Sequence, residues 1–259
     1  MRKIKSVGRI RKRKGKAFLK GLFILSFLLI GILLFLTKSD FFNIKEVYVK
    51  GENLTLEESL KEKGKNFIGE NILFLKSKDV ISSLNENPYV KSVNISRKLP
   101  NKLILDVEES DVAFYIGKGK NAYILSSNLR ILEKNNNGNL NSDIKNLVEI
   151  TGIKLDKIKI GDKLIDAEDK IVDNICKNIY EIKKVNKTKH KINRVDFSNL
   201  SRITIWIGQV EIRVGDGTDF ISKVNTALNI LENKELKMEK GYIDLSFDGS
   251  PIINRGESK

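Results

Sequence analysis

The chain of 259 residues is poor in the side chains that most often carry chemistry: one Cys, one His, one Trp, two Met and three Pro. A single cysteine excludes an intramolecular disulfide framework and a cysteine-built zinc site. A single histidine, His190, excludes His-rich metal sites and a two-His zinc helix. So few prolines, with no Gly/Ser-rich tract, argue against long flexible or polyproline linkers. A hydrophobic fraction of 41% excludes both a polytopic membrane protein and a wholly disordered chain. Acidic residues are missing from the whole N-terminal stretch, and the first carboxylate is Asp40.

What is there is basic. A net charge of +14 ordinarily points to a nucleic acid or an anionic membrane surface. Its placement decides between them. Residues 1–20 carry ten cations, among them Arg11, Lys12, Arg13, Lys14, Lys16 and Lys20. From Ser39 onward 36 Lys and Arg face 33 Asp and Glu, a net of +3. The charge belongs to a tail.

Between Lys20 and Lys38 lie seventeen uncharged residues, GLFILSFLLIGILLFLT. With Phe18 and Leu19 they are long enough for one membrane-spanning helix, with Lys20 snorkelling toward the headgroups. A cleaved signal peptide has a shorter apolar core and a small-residue cleavage site. Here the run ends in Thr37-Lys38-Ser39-Asp40-Phe41, which reads as an uncleaved anchor. The positive-inside rule then expects residues 1–20 in the cytoplasm, 21–37 in the membrane and the rest outside, a single-pass type II protein. That orientation explains the basic tail, which has no aromatic residue before Phe18, without a nucleic-acid partner.

Beyond the anchor the pattern alternates between strand and helix periods. Residues 44–51 read as a strand ended by Gly51. Thr55 with Glu58 is a capping box opening a helix over 56–63, stopped by Gly64, and a second helix has Val80, Ile81 and Leu84 inward. Strands over 89–97 and 102–109 follow, joined at Leu99-Pro100-Asn101. This β-α-α-β-β order makes a complete small core. Further on, strands are expected over 112–116, 123–125, 131–133, 147–152, 194–197, 202–207, 210–214 and 242–248. A helix capped by Asp166 presents Ile171, Ile175, Ile179 and Ile182 on one face. Another, opened by Asp219, presents Phe220, Val224, Ala227, Leu228 and Leu231. Gly208-Gln209 is a hairpin turn.

Three segments carry a family likeness: FFNIKEVYVKG (41–51), NPYVKSVNISRKLPNKLILDVEES (87–110) and GYIDLSFDGSP (241–251). Behind a basic tail and one anchor, this order resembles the FtsQ/DivIB family of bacterial cell-division proteins. The resemblance implies an α+β fold: a POTRA domain over 41–110, a mainly antiparallel β domain with two helices over 111–253, and a short tail over 254–259. It also implies a non-enzymatic divisome scaffold at the septum that assembles division proteins outside the membrane and helps control septal peptidoglycan synthesis. The partners implied are FtsL and FtsB/DivIC-like single-pass coiled-coil proteins, with septal peptidoglycan synthase components beside them. Contact is expected at the last strand of the β domain, Tyr242, Ile243, Asp244, Leu245, Ser246 and Phe247. There Tyr242, Asp244 and Ser246 share one face, and Ile243, Leu245 and Phe247 the core side. A second contact is expected on the POTRA sheet at Arg97 and Pro100.

A search for chemistry returns little. His190 lies among four cations in 187–191, as in a solvated loop. Cys176 sits on a helix beside isoleucines, as a small core residue does. Glu108-Glu109 ends a strand, and Asp216 and Asp219 bracket a turn and a helix N-terminus. Gly215-Asp216-Gly217-Thr218 lacks the lysine and spacing of a phosphate loop, and no nucleophile elbow occurs. Trp206 reads as a sheet residue. No catalytic, cofactor or metal site is expected. The alternatives are a membrane-anchored cell-wall enzyme and a POTRA-containing transport or secretion component; the latter needs more strands for a barrel than follow Ser110.

Overall fold

A computed structural model describes residues 7–51, 56–135, 146–155, 158–165, 169–233 and 235–256. Helix α1, Val7–Lys38, contains a 21-residue apolar stretch, Phe18–Lys38, none of it buried by the protein. At 1.5 Å per residue that stretch is about 31 Å long, enough to cross a bilayer core. Its two hydroxyl side chains are satisfied within the helix: Ser26 Oγ donates to the Phe23 carbonyl (2.9 Å) and Thr37 Oγ1 to the Leu33 carbonyl (2.8 Å). Among the described residues it is the one helix long and apolar enough to span a membrane.

The chain divides into two compact units, residues 1–84 with 92–108 and residues 85–91 with 109–259. In the first, β1 (Glu46–Lys50), α2 (Glu57–Lys65), α3 (Ser77–Asn85), β2 (Val90–Lys98) and β3 (Lys102–Glu109) follow in the expected order. The sheet runs β1-β3-β2, with β1 parallel to β3 from Glu46↔Lys102 to Lys50↔Asp106. Leu103, Leu105 and Val107 alternate into a core with Leu60, Val80 and Leu84 from the helices. Helix α2 runs through Gly64 rather than stopping there. The capping box at Thr55 lies outside the described residues.

Among the described residues the second unit is one nine-stranded sheet with two α-helices. Its elements are β4 (Val112–Ile116), β5 (Tyr123–Ser126), β6 (Ile131–Lys134), β7 (Val148–Thr151), α4 (Lys170–Val185) and β8 (Ile192–Asp196). There follow β9 (Ile203–Ile207), β10 (Gln209–Gly215), α5 (Phe220–Glu232), β11 (Lys240–Asp244) and β12 (Ile252–Arg255). The order across the sheet is β12-β11-β10-β9-β8-β7-β4-β5-β6. Five neighbouring pairs are antiparallel; β4/β7, β7/β8 and β10/β11 are parallel. Parallel neighbours need a crossover, and α4 and α5 supply it between β7 and β8 and between β10 and β11.

Both helices bury their apolar stripe on one sheet face. In α5 all five expected residues are buried. In α4 the buried stripe is Val172, Ile175, Cys176, Ile179 and Ile182, and Ile171 is turned out. Ile171 is one position off the i, i+3, i+4 stripe set by Val172, Ile175 and Ile179. The Asp166 cap lies outside the described residues, and the helix opens at Asp169 with no side-chain cap. Asp219 does precede α5, but in a left-handed conformation (φ 53°) and without capping through its side chain.

Residues 85–91 pack with the second unit. The Arg130 guanidinium donates to the carbonyls of Val90 (2.8 Å), Asn85 (3.2 Å) and Gly161 (2.9 Å). Tyr89 packs against Ile124 and Leu132, and burial, with Glu133 beside it, pushes its phenol far up. At the heart of this unit Phe114 is wholly buried. Phe114→Ala is expected to cost about 3–5 kcal/mol, seen as an earlier unfolding midpoint in denaturant. Phe247→Ala, at an exposed site, should leave that midpoint nearly unchanged.

Candidate partner-binding edge

A sheet that is not closed has two edges, and here they differ. At the β6 edge residues 161–164 lie along the strand. Ile131 N–H donates to the Asp162 carbonyl (2.8 Å), Gly161 N–H to the Ile131 carbonyl (2.8 Å) and Leu164 N–H to the Leu129 carbonyl (2.8 Å). The backbone at the start of β6 is already used. At the other end β12 is the outermost strand, and all four of its residues are exposed. Gly256 N–H donates to the Lys240 carbonyl (3.4 Å). Antiparallel alternation then turns the backbone groups of Asn254 and Ile252 toward β11, and those of Ile253 and Arg255 outward.

This corrects the expected last strand. β11 is flanked on both sides, parallel to β10 and antiparallel to β12, so its backbone cannot take another strand. The missed strand follows Gly249-Ser250-Pro251, a turn cluster, and begins with two β-branched residues, Ile252-Ile253. That is a hairpin signal at the end of the expected β domain, and the strand it opens runs across the expected boundary at 253 into the short tail. β12 seats closely. Gly241 has φ 110°, and a Cβ there would lie 2.1 Å from the Asn254 carbonyl oxygen of β12.

The predicted residues of β11 divide as the alternation requires, with one exception. Ile243 and Leu245 are buried, and Tyr242 and Asp244 are half-exposed on the other face. Ser246 is exposed beyond the strand end, and Phe247 is 43% exposed rather than in the core, because β11 ends at Asp244. On the open face the Arg213 guanidinium lies 3.9 Å over the Tyr242 ring. Its Nε is 2.8 Å from Glu211 Oε1 and its Nη1 3.7 Å from Asp244 Oδ2. Ser246 donates to Asp244 Oδ1 from both its N–H (2.9 Å) and its Oγ (2.6 Å). Burial pushes the Asp244 carboxyl up, but these two hydrogen bonds and the Arg213 charge outweigh it and hold it below the usual aspartate range.

Cross-strand register extends this face into a row: Glu149, Arg194, Trp206, Glu211, Tyr242 and Asn254 are successive partners across six strands. Arg194 stacks 3.8 Å over Trp206, which is half-exposed as its strand position suggests. Charge alternates with aromatic surface, and the aromatic rings are held by cations rather than by a cavity. Arg213 and Glu211 were not legible as site residues from the sequence, because their meeting with Tyr242 depends on the parallel β10/β11 register.

The remaining candidates have structural partners. Arg97 donates to the Leu75 carbonyl (2.7 Å) and Ser77 Oγ (3.1 Å), tying the end of β2 to the segment before α3. Pro100 follows a cis peptide bond in the turn from β2 to β3. His190 is half-buried rather than solvated, its Nε2 3.5 Å from Glu232 Oε1 and its N–H donating to Thr188 Oγ1 (3.2 Å). Cys176 is buried in the α4 stripe, and burial pushes its thiol up. Glu108 accepts from Ser92 Oγ (3.0 Å) and Asp216 from the Thr218 N–H (2.9 Å). Among the described residues no three His, Cys, Asp or Glu side chains converge to hold a metal.

Because the folded carboxyl of Asp244 titrates below the ordinary aspartate value of 3.8, its contribution to stability is complete above that value. It is lost as pH falls through the lower folded value. Acid titration followed by NMR at the Asp244 side chain should show the depressed midpoint, and Ser246→Ala should move it back toward the ordinary one.

The POTRA domain of FtsQ type matches residues 42–110. The cell division protein DivIB of Clostridium botulinum (strain Hall) is 33% identical over 248 residues, 94% of this chain and 94% of its own. DivIB of Clostridium tetani is 34% identical over 233 residues, 88% of this chain and 85% of its own. DivIB of Clostridium acetobutylicum is 32% identical over 219 residues, 84% of each. With an FtsQ-type POTRA domain behind its apolar helix and a third of its residues shared over nearly the full length of these relatives, the chain belongs to the DivIB family of cell division proteins.

Proposed function

We propose that this protein is a non-enzymatic scaffold of the bacterial division machinery, held by α1 in the cytoplasmic membrane at the septum. Its basic N-terminus lies in the cytoplasm, as the ten cations before the apolar span favour. Its two folded units lie outside. There they gather single-pass coiled-coil partners of the FtsL and FtsB/DivIC kind, and through them septal peptidoglycan synthase components, so that wall synthesis is controlled without being catalysed. The observation that carries this reading is the β12 edge of a DivIB-family chain: a strand with outward backbone donors and acceptors at Ile253 and Arg255, beside the Tyr242–Arg213–Asp244 face. An extended partner segment pairs with such a strand through its main chain and takes specificity from the neighbouring side chains. Tyr242, Asp244 and Ser246 serve as that side-chain surface, and Ile243 and Leu245 hold it from below. Arg97 and Pro100 mark a second, POTRA-side contact. The named division role of the relatives favours this scaffold over a cell-wall enzyme or a secretion component.

Proline is tolerated on an outer strand but cannot donate from its nitrogen. Ile253→Pro is therefore expected to lower capture of the coiled-coil partners by about tenfold or more while leaving the unfolding midpoint close to that of the unsubstituted chain. Undiminished capture would overturn the β12 site. In cells, depletion is expected to give filaments or failed septa, scored by microscopy; normal division under both ordinary and stressed growth would overturn the division role.

A further inference from the structure

The last turn of a helix leaves four carbonyls without an intrahelical partner. At the end of α1, Ser39 N–H takes up the Phe35 carbonyl (3.2 Å), and the Leu36 carbonyl accepts from the Asn71 Nδ2 (2.8 Å). Leu36 belongs to the apolar stretch Phe18–Lys38. Asn71 lies in the first folded unit, in the loop between α2 and α3. That one bond puts the loop at the depth of the final helical turn, about 3 Å inside the end of the span.

The backbone fixes the neighbourhood further. Ile72 N–H donates to the Phe42 carbonyl (2.9 Å), Ile44 N–H to the Glu70 carbonyl (2.9 Å) and Gly69 N–H to the Ile44 carbonyl (2.9 Å). Residues 69–72 therefore run alongside residues 42–44. On the other flank, Lys45 N–H donates to the Asn101 carbonyl (2.9 Å), which draws the β2–β3 turn to the same end of the sheet. Phe41 and Phe42 pack on Phe35 of the span, with ring centroids 6.0 and 5.8 Å away.

This end of the unit carries large apolar side chains that the protein leaves uncovered: Phe41 (53% exposed), Ile68 (47%), Phe74 (59%) and Leu99 (58%). Scattered exposed apolar residues are ordinary. These four are gathered on segments tied to the end of a membrane helix, and exposed lysines stand beside them at Lys45, Lys76 and Lys98. Apolar tips ringed by cations suit the boundary between acyl chains and anionic headgroups. The patch is continuous with the lipid-facing surface of α1 through Phe35 and Phe41.

We propose that this rim of the POTRA domain is a second membrane contact. Phe74 and Phe41, with Ile68 and Leu99 around them, dip into the outer face of the bilayer, while Asn71 locks the domain to the helix it hangs from. The occupant is the lipid bilayer itself. A helix and a linker alone leave an anchored domain free to swing. A rigid cap on the last turn with an apolar rim sets its orientation instead. The inference rests on reading α1 as a membrane span.

The test uses the full chain reconstituted in phosphatidylcholine/phosphatidylglycerol vesicles with brominated acyl chains. A fluorophore is attached in separate variants at Phe74→Cys, at Leu33→Cys within the span, and at Lys50→Cys at the far end of β1. Cys176 is buried, and the unsubstituted chain treated alike sets the background. Quenching is expected at Leu33 and, to about half that extent or more, at Phe74, with none at Lys50. As a check on any pull exerted by the label, the unlabelled thiol of Phe74→Cys should react with a membrane-impermeant maleimide several-fold more slowly than that of Lys50→Cys. Quenching at Leu33 with none at Phe74, or equal maleimide rates at the two outer sites, would overturn the rim contact and leave the anchor standing. Absence of quenching at Leu33 would overturn the anchor and the rim contact together.

Discussion

Burial of one face of the nine-stranded sheet under α4 and α5 is the constraint from which the rest of the second unit follows. Side chains on a strand alternate strictly, so once Ile150, Val195, Ile205, Ile212 and Ile243 are committed to that core, their neighbours have one remaining place to go. Glu149, Arg194, Trp206, Glu211, Arg213, Tyr242 and Asp244 are thereby delivered to the opposite face. Cross-strand pairing then decides which of them meet. Arg213 over Tyr242, and Arg194 over Trp206, are consequences of register as much as of residue type.

The two edges of the same sheet are not equivalent. An open sheet has two rows of unpaired backbone groups, and natural proteins cover or guard them. Here residues 161–164 cover the start of the β6 row, and the residues of β12 are all exposed. In the first unit the polar accounting is equally consequential. A carbonyl left over at the end of α1 is met by Asn71, and that makes the helix and the loop beyond α2 parts of one body.

Much of this was legible in the chain itself. The β-α-α-β-β order, the α5 stripe and the Gly208 turn carry strong local periodicity and turn chemistry, and each recurs in the structure. The inward stripe of α4 was read one residue out at Ile171, because four isoleucines at similar spacing fit two neighbouring stripes and the sheet beneath selects one. Phe247 was read as core because alternation was carried past Asp244, where β11 ends. His190 was read as solvated from its lysine neighbours, although local charge says nothing about a helix end bringing Glu232 alongside.

The basic tail, the apolar span, the succession of strands and helices and, through motif order, the family can all be read from the chain. Those depend on composition and on periods of two and 3.6 residues, which are written locally. Three features emerge on folding alone: β11 lies inside the sheet with β12 at its edge, β10 and β11 run parallel, and Asn71 reaches the last turn of α1. Each of these joins residues separated by eight to more than thirty positions through backbone pairing or a single side-chain bond. No local pattern records which distant donor will find which acceptor.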